Sequence, residues 1–388
     1  MGSIRLDAVT TSFFGYGCID DVPFEMKKRG AKRALIVTDN FLYKSGVADK
    51  VGQSLLKGDI EYAVFYLVSP NPSVEVINDC RNAAEALGVD WLVAVGGGSS
   101  IDTAKAVSIL LANGGKIEDY EGADKSAKPG IPIVAVSTTA GTGSEVTTFY
   151  IVTDTVKHSK MVMADKNCRI AIAVNDTQFM TTMPKGLTAA TGMDAITHAI
   201  EAVQCNNANP LTDKDALWAI KTIKDYLPQA IETPDNVKAR DMMSYAQYIA
   251  GMAFSNSGIG MVHAMAHSLG GFYNLPHGLC NAILLPYVME FNATHANLET
   301  QFREIANALE IPNFKTMPYT QLCKACVDYI KELNKKVGIT QSLKELKVLE
   351  KDFEALTKLA LNDLCMQSNP IMPTRMQVID TYKAAYFK

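Results

Sequence analysis

A change of pattern near Pro184 constrains the fold of this 388-residue chain more than any other feature. Before it, short apolar runs such as "RALIVT" (33–38) and "WLVAV" (91–95) alternate with helical patterns. Such alternation predicts a parallel sheet with helices on both faces. After it we find no convincing strand but eight helical patterns that break at glycine and proline, at about 187–204, 212–226, 236–254, 261–271, 281–292, 299–309, 318–336 and 351–364. The sequence therefore predicts an α/β domain over residues 1–184 and an all-α domain over residues 185–388.

Composition and charge argue against two classes of partner. A net charge of −4 at pH 7 provides no basic surface for nucleic acid or an anionic membrane. No apolar run approaches the length of a membrane span. The start, "MGSIRLDAVTTSFF", lacks the apolar core of a signal peptide, so we expect a cytoplasmic protein whose eight cysteines are reduced. The one C-x-x-C, "CKAC" (323–326), lies in a helical pattern without a second pair, which favours ordinary packing.

Two loops rich in small residues follow predicted strands. "VAVGGGSSIDTAKA" (93–106) has the pattern of strand, glycine turn and helix, and "STTAGTGSE" (137–145) repeats it. Glycine lets the backbone approach a phosphate, and a helix N-terminus supplies free N–H groups. Three glycines can also serve a tight turn, and the loop is neither G-x-G-x-x-G nor a Walker loop. The repetition favours phosphate binding, in a dinucleotide crevice of a Rossmann-like sheet.

Asp39 follows the first clear strand in "ALIVTDN" (34–40). A carboxylate there can accept a hydrogen bond from a ribose 2′-OH and repels a 2′-phosphate. Aspartate is also a common helix cap and turn former. From the residues alone, the capping role is favoured.

Four of the six histidines lie within eighty residues, on apolar helical patterns. Asp194 and His198 are four residues apart and therefore share a helix face, as do His263 and His267. His277 follows ten residues beyond His267. A carboxylate and imidazoles that converge from two helices suit Fe²⁺ or Zn²⁺.

Spacing alone leaves the roles of the individual histidines open. His263 and His267 point to the same face, so one can bind metal while the other transfers protons. The remaining histidines, His158 and His295, lie in polar stretches and have no predicted role.

Taken together, these motifs resemble the iron-dependent (group III) alcohol dehydrogenases. The resemblance rests on "GGGSSIDTAK", "TTAGTGSE", "AATGMDAITHAIEA" and "GMVHAMAHSLGGFYNLPHG", and it extends from "FFGYG" (13–17) to "SNP" (368–370). It is strongest with the members that act on 1,3-propanediol, lactaldehyde or short primary alcohols. It implies a dehydroquinate synthase-like fold: an NAD-binding α/β domain, an all-helical catalytic domain, and a metal ion in the cleft between them.

The resemblance also implies roles for individual residues. The metal ligands would be Asp194, His198, His263 and His277, with iron expected and zinc compatible, and His267 would relay protons beside the substrate. The residues expected at NAD are Asp39, Asn71, Gly97, Gly98, Ser99, Asp102, Thr138, Thr139, Thr142, Lys160 and Phe179. Asp39 matches the acid of the NAD-preferring members, which reverses the preference for a capping role.

The implied reaction is reversible, NAD(H)-linked oxidation of a short primary alcohol or diol to an aldehyde. The metal would act as a Lewis acid, NADH would donate hydride, and His267 would deliver the proton. Metal-assisted elimination or hydrolysis of a phosphorylated substrate on the same fold is the alternative. A homodimer or larger homo-oligomer is expected from the family and from the apolar stretch "VTTSFFGYG" (9–17).

Departures from the family pattern leave the substrate open. Ser100 and Ser268 stand where several relatives have proline and glutamine, and "SNPIMPTR" lacks the immediate "NPR" of many members. Position 268 and the segment 365–373 are expected to border the alcohol pocket.

Overall fold

A computed structural model describes residues 6–9, 11–157 and 159–387 of the chain. The chain divides into two compact units. One unit is Asp7–Thr182, and the other consists of Met183–Lys388 together with Leu6. The first is α/β and the second is helical, so the predicted fold class is confirmed. His158 lies outside the described residues.

The strands described all belong to the α/β unit. They are β1 (Ser12–Phe14), β2 (Arg33–Asp39), β3 (Glu61–Val68), β4 (Trp91–Gly96), β5 (Gly122–Ala123), β6 (Ile133–Ser137), β7 (Phe149–Asp154), β8 (Ser159–Ala164) and β9 (Ile172–Asn175). Six of them form one parallel sheet in the order β1-β9-β6-β4-β2-β3. Strands β4 and β6 are buried along their whole length, because they lie in the interior of the sheet.

The helices of this unit follow the strands closely. They are α1 (Val22–Lys28), α2 (Asn40–Lys44), α3 (Val47–Lys57), α4 (Val74–Leu87) and α5 (Gly98–Asn113). Because neighbouring strands are parallel, Asp39, Gly96 and Ser137 end β2, β4 and β6 at the same edge of the sheet. The two small-residue loops and Asp39 therefore lie on the side where parallel sheets bind ligands.

The sequence patterns missed a second, three-stranded sheet in the order β5-β8-β7. β7 pairs with β8 in antiparallel register. Tyr150, Val152 and Asp154 are the buried residues of β7, so the strand has the period of two that a half-buried strand requires. Two of the six residues of β7, Thr153 and Asp154, are polar, which hides this period in the sequence.

The helical unit contains nine described α-helices. They are α6 (Lys185–Gln204), α7 (Pro210–Glu232), α8 (Val237–Ser257), α9 (Met261–Tyr273), α10 (His277–His295), α11 (Glu299–Ala308), α12 (Tyr319–Lys336), α13 (Phe353–Asn362) and α14 (Arg375–Phe387). The sequence patterns predict eight of these and miss α14, although Val378, Tyr382 and Ala385 are buried at helical spacing.

Helix α6 is the centre of this unit and packs against α7, α8 and α10. Helix α9 is buried from Met261 to Gly270 and packs against α10 and α13. Polar side chains on α6 and α9 therefore need partners inside the protein. Within the ranges described above, no helix is both long and apolar enough to cross a membrane.

Candidate metal centre and cofactor loops

Four side chains of the helical unit meet at one carboxylate oxygen. His277 Nε2 lies 3.6 Å and His263 Nε2 3.7 Å from Asp194 Oδ1. His198 Nε2 lies 4.0 Å from the same atom. Asp194, His198 and His263 are buried, whereas the His277 side chain is 26% exposed. The structure thus brings together the four residues that the family resemblance implies as metal ligands.

Three helices deliver these side chains. α6 carries Asp194 and His198 four residues apart, so both project from one face. α9 carries His263 near its start. His277 is the first residue of α10, because Pro276 before it has an extended conformation.

The start of α10 approaches α6 closely at Gly278. A Cβ atom at this position would lie 2.4 Å from the carbonyl oxygen of Ala190 and 3.3 Å from the Asp194 Cβ. Glycine is the residue that permits such backbone contact. The absence of a side chain at Gly278 therefore lets the neighbouring His277 come within reach of Asp194.

Asn281 shows that lone pairs converge at this point. Its amide nitrogen, Nδ2, lies 2.6 Å from Asp194 Oδ1. The same nitrogen lies 3.1 Å from Nε2 of His263 and 3.1 Å from Nε2 of His277. Its Oδ1 is buried and has no hydrogen-bond partner among the described residues. Lone pairs from one carboxylate and two imidazoles thus face a single position, with His198 beside them. The residues present fit a divalent iron or zinc ion.

The carboxylate and the imidazoles of the cluster stabilise each other's charged forms. Burial raises the pKa of Asp194, but His198, His277 and His263 outweigh it and hold that pKa well below its usual range. Burial lowers the pKa of His263, but Glu201 and Asp194 outweigh it and raise the pKa to about 9. A metal ion must therefore displace a proton from His263 when it binds.

His267 lies beside the cluster but is held by a different acid. Its Nδ1 is 2.8 Å from Asp363 Oδ2, and both side chains are buried. Its ring stacks on His277 at a centroid distance of 5.2 Å. Burial raises the pKa of Asp363, but the charge of His267 and its hydrogen bond outweigh it, so that the pKa is lowered. With Nδ1 engaged, Nε2 is the ring nitrogen that remains to exchange a proton.

His267 and Asp363 also form a group with Cys365 whose ligand atoms lie within 4.8 Å of one another. Burial raises the pKa of the Cys365 thiol well above its ordinary value. Metals bind the thiolate, so this group is a poor match for a cation.

Ser268, a departure from the family pattern, is engaged inside the helical unit. Its Oγ donates to the carbonyl oxygen of Met265 at 2.8 Å and lies 2.6 Å from the Tyr382 hydroxyl. The serine and the tyrosine are both buried. Ser268 therefore connects α9 to α14.

The two predicted phosphate loops pack directly against each other in the α/β unit. A Cβ atom on Gly97 would lie 3.0 Å from Thr139 Oγ1, and one on Gly98 would lie 3.0 Å from Thr142 Cγ2. Helix α5 begins at Gly98 without a side-chain cap, so the N–H groups of its first turn remain available for an anion. This arrangement suits a pyrophosphate.

Asp102 and Lys105 connect α5 to the second loop. The two oxygens of Asp102 accept hydrogen bonds from Ser144 Oγ at 2.7 Å and from the Ile151 N–H at 3.1 Å. Lys105 Nζ donates to Ser144 Oγ at 3.1 Å and to the carbonyl oxygen of Phe149 at 2.7 Å. Lys105 is buried and Asp102 is partly buried. Asp102 thus connects α5 to the second loop and to β7, and its contact with the cofactor stays a prediction.

Asp39 caps α2 through one oxygen only. Its Oδ1 accepts from the N–H groups of Phe41 at 2.8 Å and Leu42 at 2.9 Å. The capping role is therefore real, and Oδ2 takes no part in it. The two functions considered for Asp39 are compatible.

The remaining predicted cofactor residues are spread over the α/β unit. Asn71, after β3, has a positive φ of 54°. Lys160 lies in β8 opposite Thr153. Phe179 is buried in the hydrophobic core with Val174, and its contact with the cofactor stays a prediction.

Comparison with known proteins identifies the family. The model of the iron-containing alcohol dehydrogenases matches residues 10–177, and that of the C-terminal region of the Fe-containing alcohol dehydrogenase family matches residues 188–386. The chain belongs to the iron-containing alcohol dehydrogenase family. It is 42% identical to alcohol dehydrogenase 4 of Schizosaccharomyces pombe, over 96% of this chain and 87% of that one. It is 39% identical to lactaldehyde reductase of Escherichia coli K12, over 97% of this chain and 98% of that one.

Solved structures agree with this assignment. A crystal structure of 1,3-propanediol oxidoreductase superposes with a TM-score of 0.95 at 38% identity, covering 99% of this chain and all of that one. A sulfoacetaldehyde reductase from Bifidobacterium kashiwanohense, in complex with NAD⁺, superposes with a TM-score of 0.87 at 28% identity, over 99% of each chain. The expected class is confirmed: this iron-containing alcohol dehydrogenase is an NAD-linked oxidoreductase of alcohols and aldehydes.

The sequence patterns did not identify three residues that contact the histidines of this alcohol dehydrogenase. Asn281 lies among the ligand atoms, Glu201 contacts His263, and Asp363 contacts His267. Glu201 is three residues beyond His198 on α6, and this helical spacing is the one local pattern that could have found it. Nothing local connects Asp363 to His267, which lies 96 positions away.

Proposed function

We propose that the protein is a metal-dependent, NAD(H)-linked alcohol dehydrogenase that interconverts short primary alcohols or diols and their aldehydes. Ethanol, butanol, 1,2-propanediol with lactaldehyde, and 1,3-propanediol are the substrates of this kind. The observation that carries the proposal is the placement of three imidazole Nε2 atoms within 4.0 Å of one buried oxygen of Asp194. Similarity to a methanol dehydrogenase of Bacillus methanolicus, at 40% identity, supports the substrate size.

Asp194, His198, His263 and His277 would hold the metal, which we propose to be Fe²⁺, with Zn²⁺ compatible with the same donors. When bound, such an ion supplies Lewis-acid polarisation of a substrate oxygen. Asp194 contributes a negative charge at the centre of the set, and its low pKa keeps that charge at physiological pH.

His267 is the proposed proton relay. Asp363 holds its Nδ1, and the low exposure of both side chains limits exchange with bulk water. Nε2 would deliver a proton to the alcohol oxygen during aldehyde reduction and remove it in the opposite direction.

Two loops of the α/β unit are the proposed cofactor site. Gly97, Gly98 and Ser99 would bind the pyrophosphate at the start of α5, and Thr138, Thr139 and Thr142 would line the nicotinamide side. Oδ2 of Asp39 would accept from a ribose hydroxyl, which favours NAD over NADP. The other residues that would contact the cofactor are Asn71, Asp102, Lys160 and Phe179.

We also propose a homo-oligomer in the cytoplasm. The apolar stretch "VTTSFFGYG" (9–17), which includes β1, supports an assembly of copies of this chain. None of the eight cysteines, all of which are described, is in a disulfide bond, which suits a reducing compartment. Light scattering at assay concentration tests the oligomeric state, and a monomer would reject the proposed assembly. Cell fractionation tests the location, and a secreted protein would reject the proposed cytoplasmic location.

The decisive experiment is turnover. Protein of known metal content is mixed with NADH and a panel of short aldehydes, and the loss of NADH absorbance is followed. Consumption of NADH with at least one short aldehyde is expected. Lack of turnover with the whole panel, together with conversion of a phosphorylated substrate without NADH consumption, would replace the proposal by metal-assisted elimination or hydrolysis.

A further inference from the structure

The first turn of α9 is fastened by side chains from elsewhere in the helical unit. Gly260 precedes the helix and supplies no side-chain cap. Glu201 Oε1 accepts from the N–H of Val262 at 2.7 Å, and Asn369 Oδ1 accepts from the N–H of Met261 at 3.1 Å. These bonds satisfy N–H groups that a helix start leaves without partners.

Glu201 does more than cap this helix. Its second oxygen, Oε2, lies 2.5 Å from His263 Nδ1. Glu201 is 3% exposed and His263 is 1% exposed, so water does not compete for this contact. One carboxylate thus binds both the backbone of α9 and the side chain of the residue that follows Val262.

This contact selects one form of the His263 ring. A carboxylate accepts hydrogen bonds and does not donate them, so Nδ1 carries the hydrogen. In the neutral ring that binds a metal, Nε2 then has the lone pair. Nε2 is also the atom that lies 3.7 Å from Asp194 Oδ1, at the convergence point of the ligands.

We propose that Glu201 is a positioning residue of the metal centre, which sets the tautomer and ring orientation of His263 without binding the metal itself. This inference rests on the proposed function, because it assumes that His263 is a ligand. Carboxylate partners of this kind orient ligand histidines and raise their basicity, and their removal typically costs about 10–100-fold in metal affinity.

The same helix offers a matched control. One turn after His263, Asp363 holds Nδ1 of His267 at 2.8 Å. Asp363→Asn and Glu201→Gln are the same chemical change, each beside Nδ1 of a buried histidine and each removing one negative charge. They differ in the histidine that is affected. His263 forms a group of possible metal ligands with Asp194 and His277, whereas His267 is not part of that group.

Glu201→Gln keeps the size of the side chain but has a single acceptor oxygen. If that oxygen retains the bond to Val262, the amide N–H₂ faces Nδ1 and favours a hydrogen on Nε2, the nitrogen that should bind metal. We expect the affinity of the metal-free protein for Zn²⁺ and Co²⁺, measured by chelator competition, to fall by about 10–100-fold. In Asp363→Asn it should stay within about twofold, because the altered ring is not a ligand.

A third variant separates ligand positioning from helix capping. Asn369→Ala removes the neighbouring cap on α9 and leaves Glu201 and His263 unchanged. We expect it to lower thermal stability and to weaken metal binding less than Glu201→Gln does. Equal loss of metal affinity in Asn369→Ala, equal loss in Asp363→Asn, or wild-type affinity in Glu201→Gln would each overturn the proposal.

A measurement on the unmodified protein covers the case in which the variants do not fold. In the Zn²⁺-loaded enzyme with ¹⁵N-labelled histidine, NMR should show His263 with a hydrogen on Nδ1 and the metal on Nε2. The opposite assignment would refute the role of Glu201. Failure of the proposed function looks different: wild-type protein would bind Zn²⁺ and show this signature but would not oxidise NADH with any aldehyde.

Discussion

His267 Nδ1 lies 2.8 Å from Asp363 Oδ2, and both side chains are buried. The acid therefore determines which nitrogen of His267 is left for proton transfer, as the aspartate does for the histidine in serine-protease triads. Its other oxygen, Oδ1, accepts from the N–H of Cys365 at 2.8 Å and so is held in place itself. In the proposed mechanism, proton transfer and metal binding therefore belong to separate histidines of α9, each with its own carboxylate.

Loss of the His267 ring should reduce the rate and spare the metal. We expect His267→Ala to lower kcat by about 10²–10⁴-fold, the usual contribution of a general acid–base group. Metal content, measured by elemental analysis, should remain at the wild-type level. Loss of the metal in this variant would instead place His267 among the ligands.

His263→Ala should abolish both metal retention and turnover, because it removes one of the imidazoles that face Asp194 Oδ1. His295→Ala is the control: that ring lies at the end of α10 and contacts the carbonyl oxygen of Phe291 through Nδ1. It should keep metal and activity. A His263→Ala protein with full metal content would show that the ligand assignment is wrong.

Gly278 offers a test of how closely α10 must approach α6. Gly278→Ala places a Cβ 2.4 Å from the Ala190 carbonyl oxygen, so α10 has to move and carry His277 away from Asp194. We expect weaker metal binding and a lower Tm. Gly186→Ala, at a helical position with open space around the Cβ, should change neither metal affinity nor activity. Wild-type metal affinity in Gly278→Ala would show that the close approach is dispensable.

Coenzyme choice should depend on the charge of Asp39. NADP would bring its 2′-phosphate against this carboxylate, and repulsion of this kind makes about a hundredfold preference for NADH over NADPH reasonable. Asp39→Asn keeps an acceptor for the N–H groups of Phe41 and Leu42 but removes the charge. We expect it to improve kcat/KM with NADPH at an unchanged Tm.

Asp39→Gly removes the charge and the cap together. It should narrow the coenzyme preference as well, at a cost of roughly a few tenths of a kcal/mol in stability from the lost cap, because glycine is itself tolerated at this position. If the ratio of kcat/KM values for the two coenzymes is the same in wild type and both variants, Asp39 is a capping residue alone.

Asp213 should make stability fall with rising pH. It is half-buried, its Oδ1 has no hydrogen-bond partner among the described residues, and burial together with Glu304 raises its pKa from 3.8 to about 6. A carboxyl whose pKa is raised by folding destabilises the ionised native state, so the penalty is absent below pH 3.8 and complete above about pH 6.

Asp213→Asn should therefore raise the free energy of unfolding by about 1 kcal/mol near neutral pH, after allowance for solvent screening. The gain should vanish in acid. Thermal unfolding at several pH values measures this difference, and Glu304→Gln should produce a smaller gain in the same direction. A gain that is independent of pH would mean that the ionisation of Asp213 is not its cause.

Several features of the fold and of the site could be predicted from local periodicity in the sequence. Continuous apolar runs identified β4 and β6, because strands inside a parallel sheet are buried on both faces. The spacing of four residues placed Asp194 beside His198 and His263 beside His267, because a helix turns once in 3.6 residues. Glycine-rich turns after strands identified the two loops that pack together at Gly97 and Thr139.

The partners of each imidazole could not be predicted in this way, because they depend on contacts that form only when the helices pack. His263 and His267 are equivalent in spacing and differ in what faces them: Asp194 and Glu201 for one, Asp363 for the other. These partners lie 62 to 96 positions away in the chain. Hydrogen bonds between distant residues leave no period in the sequence, since one buried contact requires only that two side chains meet after the helices have packed.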